Sequence, residues 1–139
     1  MNYLVFLETG ELEKILSGIK TMLLKEFDPS QFGDQPVRPG DSLYFLRDKD
    51  EYALRVKANI IRVFLPGNGL TEDLSQPLKE LQPRLQLTED QYNHWSAKKQ
   101  VMSVEFNCAR KISVIHVAPN KITSRSDWMP FEEFSFITE

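Results

Sequence analysis

Apolar positions along this chain change their period several times, and each change marks an element. Asn2–Leu7 (NYLVFL) is a short apolar run with Tyr, Val and Phe, which predicts a buried strand. The period then lengthens. Leu12, Ile15, Leu16 and Ile19 fall three or four apart, the spacing of one packed helix face. Thr9 is positioned to cap this helix, Glu11 and Glu13 lie in its first turn, and the helix runs to about Ser17, with Gly18 where a C-terminal glycine is expected. Residues 21–27 return to a strand. Residues 28–40 (DPSQFGDQPVRPG) carry three prolines and two glycines and form a loop longer than usual connectors, hence a candidate binding loop. Its Pro-Gly-Asp end launches a strand over residues 42–46. Over residues 52–64, Tyr52, Leu54, Val56, Ala58 and Ile60 alternate with Arg55, Lys57 and Asn59, the pattern of a half-exposed antiparallel strand.

Pro66-Gly67-Asn68-Gly69 breaks the chain again. A helix over residues 71–81, capped by Thr71, is followed by a second opening at Thr88, with Gln91 spaced for a capping box. Residues 101–106 and 111–117 read as two strands and residues 134–137 as a short final one. Six or seven short strands with two or three helices outside them predict an α+β fold, a small mixed or antiparallel β-barrel flanked by helices. With 139 residues and no repeats, one domain spanning 1–139 is expected.

The composition narrows the class. The chain is 41% hydrophobic and 27% charged, ordinary for a globular protein, and has no run of roughly 18 apolar residues that would predict a membrane span. The N-terminus lacks a signal peptide's basic start, and Cys108 is a lone cysteine, so a reducing, cytoplasmic setting is expected. Net charge is −3, but the balance is uneven. Residues 96–125 hold six Lys/Arg against Glu105 alone, while the segments on either side are acidic. Such a basic stretch is either a phosphate-facing patch or a solvated surface.

No hydrolase, metalloprotease, P-loop or dinucleotide motif is present. His94 and His116 lie on different elements and, with one cysteine, cannot build a zinc site; no metal or cofactor is expected. Cys108 and His116 read as structural residues, Cys108 as a small buried hydrophobe. Lys20, at a helix-to-strand transition, is either a solvated residue or a group facing the barrel mouth. There it would act as a phosphate-contacting cation, or as a base or nucleophile if desolvation lowers its pKa. Trp95, late in a helix, and Trp128, in the loop SRSDWMPF, both sit beside basic residues, as stacking platforms would; each is also a candidate core residue. Arg125 belongs to a polar loop suited to phosphate or sugar.

Residues 15–21 (ILSGIKT), 38–42 (RPGDS) and 95–106 (WSAKKQVMSVEF) together resemble the ASCH-domain branch of the PUA-like superfamily. The resemblance implies a PUA-like barrel with a cleft lined by the Gly-x-Lys motif, and RNA or modified-nucleotide binding. Some members resemble amidohydrolases that deacetylate a modified cytidine with the motif lysine, a threonine and a glutamate. The pattern runs G-x-K-x-x-E/T-x-R. Gly18 and Lys20 match, but Leu23 replaces the polar residue and Lys25 the arginine, which removes a partner from acid–base work and weakens bidentate phosphate recognition. The first expectation is therefore a binding module using Lys20, Lys25, Trp95, Arg125 and Trp128. The alternative is an amidohydrolase acting on an N4-acetylcytidine-like nucleoside, with Lys20 catalytic and Glu105 or Glu72 as acid.

Overall fold

The computed structural model describes residues 2–7, 10–26, 37–47, 52–64, 75–97, 101–121 and 128–138. Strands β1 (Asn2–Leu7), β2 (Met22–Glu26), β3 (Ser42–Arg47), β4 (Ala53–Phe64), β5 (Val101–His116) and β6 (Trp128–Phe131) form one sheet in the order β2-β5-β4-β3-β1-β6. β1 runs parallel to β3, and the other neighbours are antiparallel, so the sheet is mixed. It curls into a half-barrel accompanied by helices α1 (Glu11–Leu16), α2 (Ser75–Leu85) and α3 (Glu89–Ser96). Among the described residues no helix is long and apolar enough to cross a membrane.

The sheet buries both faces. Inside the curl, Val5, Phe45, Val56, Ile60, Met102 and Phe106 form the main core, and α1 adds Leu12 and Ile15. On the other face, Leu4, Tyr44, Leu46 and Leu54 pack with Val117, Phe131 and Ile137. A third cluster joins Met22 and Leu24 of β2 to Leu85 of α2 and to Trp95 of α3. This double burial explains why β1 is apolar from Tyr3 to Leu7 rather than alternating.

Two turns fix how the elements meet. Gly18 has φ 82°, and its N–H donates to Ile15 O at 3.1 Å while Ile19 N–H donates to Lys14 O at 3.1 Å. That paired pattern is a Schellman motif, closed by the glycine the sequence predicts. The Pro-Gly-Asp segment turns with Gly40 at φ 95° and Asp41 N–H donating to Arg38 O at 3.1 Å, the proline-glycine placement of a type II turn. Asp41 Oδ2 accepts from Arg38 N–H at 2.9 Å, and Gly40 N–H donates to Ile60 O at 2.8 Å, which anchors the turn on β4. The Thr88–Gln91 capping box also forms as expected.

Several expectations are corrected. The N-cap of α1 is Gly10; Thr9 lies outside the described residues. Ile19 is 55% exposed rather than packed with Leu12, because the left-handed turn at Gly18 takes it off the helix face. Leu54 does not share a face with Val56. Phe45 pairs with Val56 and Leu46 with Leu54, so Arg55 is an extra residue that flips the strand, and Tyr52 falls outside it. Helix α2 extends through Pro83 to Leu85 because Leu85 is fully buried; Thr71 lies outside the described residues. The two expected strands after residue 100 are one, with Cys108 (φ 55°) at an irregularity between the Lys57 and Asn59 pairings. Cys108 and His116 are exposed, not buried. Residues Phe134–Phe136 form a 3-10 turn, and the last strand is instead Trp128–Phe131 on β1.

Candidate functional site

The curl of the half-barrel brings β1 and β2 to one cleft although three strands separate them in the sheet. Its lining includes Glu11, Lys20, Leu23, Gln91, Trp95 and Trp128, around a space of about 70 Å³. That volume is far below the roughly 300–1,000 Å³ typical of sites that enclose a whole small molecule. A larger, open hollow of about 460 Å³ beside β6 is lined by Lys121, Met129, Phe131 and Phe136, none of them a predicted site residue.

Lys20 is the centre of the cleft, and its position follows from the chain on both sides. The Schellman turn delivers it: Lys20 N–H donates to Lys14 O at 3.0 Å. On the next residue, Thr21 N–H donates to Arg84 O at 2.9 Å, and Thr21 O accepts from Phe106 N–H at 3.0 Å. These bonds fasten the start of β2 to the end of α2 and to β5. Helix α2 ends as Gln86 adopts a left-handed φ of 52°, leaving its last carbonyls to be satisfied from outside. Lys20 Nζ donates to the Leu85 carbonyl, and Lys14 Nζ to the Gln86 carbonyl at 3.2 Å. Two ammonium groups thus sit at the negative end of the helix dipole.

Lys20 is 1% exposed, and its ammonium lies 3.7 Å from Glu11 Oε1. A charge so far from water is retained where a counter-charge and hydrogen-bond acceptors surround it. The expectation of Lys20 as a solvated residue is therefore corrected. Glu11 went unrecognised as its partner in the sequence, where it reads only as a dipole-matched first-turn acid. Nine positions separate the two, and the turn at Gly18 is what folds them together.

The other predicted residues divide. Trp95 is half-buried and lines the cleft, with His94 packed edge-on at 5.4 Å. Trp128 also lines it, but as the first residue of β6 rather than in a loop, and it is 4% exposed with Tyr3 against it at 5.9 Å. Lys25 shares the inward face of β2 with Leu23, is 8% exposed, and holds its ammonium 5.6 Å from the Trp128 ring centre. Leu23 stands at the cleft wall where the motif would have a polar group. Arg125 and Glu72 lie outside the described residues. Glu105 is not with Lys20. It lies on the opposite face of β5 from Val104 and Phe106, and pairs with Arg62 at 3.1 Å and Arg84 at 3.2 Å. Among the described residues no group of three or more His, Cys, Asp or Glu side chains could hold a metal ion.

No protein-family model matches this chain, and no curated protein matches it. Solved structures do. The ASCH protein from Zymomonas mobilis is 12% identical and superposes with a TM-score of 0.69, covering 95% of this chain and 88% of its own. A serine-to-alanine variant of that protein gives 11% identity and a TM-score of 0.69 over 96% of this chain and 89% of that one. A tyrosine-to-phenylalanine variant gives 12% and 0.69, over 96% and 91%. At these identities the likeness is one of fold: the chain has the ASCH-type, PUA-like α+β fold that the sequence resemblance implies.

Proposed function

We propose that this chain is a nucleic-acid or modified-nucleotide binding module working through the cleft between β1 and β2. The observation that carries this is the meeting of Lys20, Trp95 and Trp128 in one cleft, on a fold shared with ASCH proteins. A half-buried tryptophan offers a base a π-face, and stacking on such a platform contributes about 1–3 kcal/mol per base. At about 70 Å³ the cleft takes a substituent of the base rather than the whole nucleoside, so the ring itself would lie against Trp95 at the mouth. Arg125 supplies a cation for phosphate, while Lys25, buried against the Trp128 ring, supports that wall of the site. The test is fluorescence titration with single-stranded RNA and with modified nucleosides. Trp95→Ala should weaken binding by about five- to 150-fold, and Arg125→Gln should weaken RNA more than nucleoside. If no ligand binds, or both substitutions leave affinity unchanged, the proposal is wrong.

The Lys20–Glu11 pair favours a second reading, amidohydrolysis of an acylated nucleoside, because a carboxylate stands beside a buried lysine. Here Lys20, with Glu11 in place of Glu105, would assist water in attacking the acyl carbonyl, releasing carboxylic acid and the amine. Turnover of N4-acetylcytidine lost in Lys20→Met supports it; no turnover by the unaltered protein rejects it.

A further inference from the structure

We infer that the outer face of β3, β4 and β5 carries a second anion site, separate from the cleft, formed by Lys57 and Arg110 and suited to the phosphates of an RNA strand. The register makes the two residues direct cross-strand partners, and Lys57 is in turn the partner of Tyr44 on β3. Partners in a ladder share a face, with side chains about 5 Å apart at their Cβ atoms. Like charges placed so repel, and the arrangement lowers stability unless an anion lies between them. Among the described residues the carboxylate on this part of β5, Glu105, is engaged elsewhere, holding Arg62 and Arg84.

Both cations are held on this face. The Lys57 ammonium lies 5.5 Å from the Tyr44 ring centre. Arg110 Nη1 donates to Cys108 O at 3.1 Å, the carbonyl of the residue whose left-handed φ of 55° marks the irregularity in β5. That irregularity matters. Asn107 pairs with Asn59 and Arg110 with Lys57, so three positions of β5 span two of β4, and the extra residue keeps Arg110 on Asn107's face. Next along the strands, therefore, the Ser42–Asn59–Asn107 row shares the face and presents hydroxyl and amide groups.

Two adjacent cations beside a row of neutral donors fit a phosphodiester strand, with one phosphate between Lys57 and Arg110 and the next phosphate or ribose over the amides. An acidic polypeptide is the competing occupant and enters the test.

The experiment is anisotropy titration of the full chain with single-stranded RNA over a salt series, comparing the unaltered protein with Lys57→Gln, Arg110→Gln and the double variant. Each phosphate no longer neutralised should flatten the log Kd against log salt slope by roughly 0.7. The double variant should flatten it by about that amount or more and weaken binding at low salt, while melting at the same temperature or higher because the repulsion is gone. Trp95→Ala should change affinity without flattening the slope, which separates this site from the cleft. The inference fails if the unaltered protein binds no RNA, if the double variant keeps the full slope, or if poly-glutamate displaces RNA from the unaltered protein as readily as polyphosphate of equal charge does.

Discussion

Replacing Lys20 by methionine isolates what the buried ammonium does, since the side chain keeps nearly its volume and loses its charge. The substitution takes the ammonium away from two groups: Glu11 Oε1 at 3.7 Å and the carbonyl of Leu85 at the end of α2. Breaking a buried ion pair by removing one partner costs about 3–5 kcal/mol, most of it the penalty for the charge left behind. Glu11 keeps a favourable place in the first turn of α1, and its side chain is 14% exposed, so the lower end applies. An unsatisfied carbonyl adds about 1–3 kcal/mol unless water reaches it. We expect Lys20→Met to lose about 4 kcal/mol or more in urea unfolding followed by tryptophan fluorescence, a fall in Tm on the order of 15 °C. Adding Glu11→Gln removes the charge that faced the ammonium, so the double variant should be more stable than the sum of the two single losses predicts by about 1–2 kcal/mol. A loss under about 1 kcal/mol for Lys20→Met, or strict additivity, would refute the assignment of Lys20 as a buried, paired cation.

Tyr3, deep in the core, has its phenol pushed up to about 12, chiefly by burial and further by the Asp41 charge, with Arg38 opposing. The folded chain holds this proton more tightly than the unfolded one, so its contribution is complete below pH 10 and is lost between pH 10 and 12; the loss amounts to ~2–3 kcal/mol. Tyr3→Phe should lack that component in denaturant titrations across this range. Gly18→Ala, at φ 82° with open space where the Cβ would stand, should lose about 1–2 kcal/mol by calorimetry, from backbone strain alone. Glu105→Gln removes pairs with two arginines that are 65% and 51% exposed, so it should cost about 1 kcal/mol at low salt and less at high salt. It should leave any turnover of N4-acetylcytidine intact, which a role for Glu105 as the acid in the cleft does not allow.

Local chemistry was legible wherever neighbours in sequence are neighbours in space. Gly18 closes α1, Thr88 and Gln91 cap α3, and Pro39-Gly40 turns into β3, because each depends on backbone angles and on bonds spanning a few residues. The gross architecture followed from the same signals, since short strands and amphipathic helices have few ways to cover one another. What periodicity alone did not reveal were the points where a strand departs from strict alternation. The extra residue at Arg55 and the irregularity at Cys108 are set by pairing with partner strands, so Leu54 changed face, and two expected strands became one. The site divides along the same line. The sequence by itself marked Lys20 as the residue beside the glycine turn and predicted a barrel to hold it. Only the tertiary structure decided that Lys20 is buried against Glu11 and the end of α2, that Trp95 and Trp128 join it, and that Glu105 does not. The physical reason is that desolvation and charge pairing depend on through-space distance, and those distances are fixed by how the sheet curls, not by spacing along the chain.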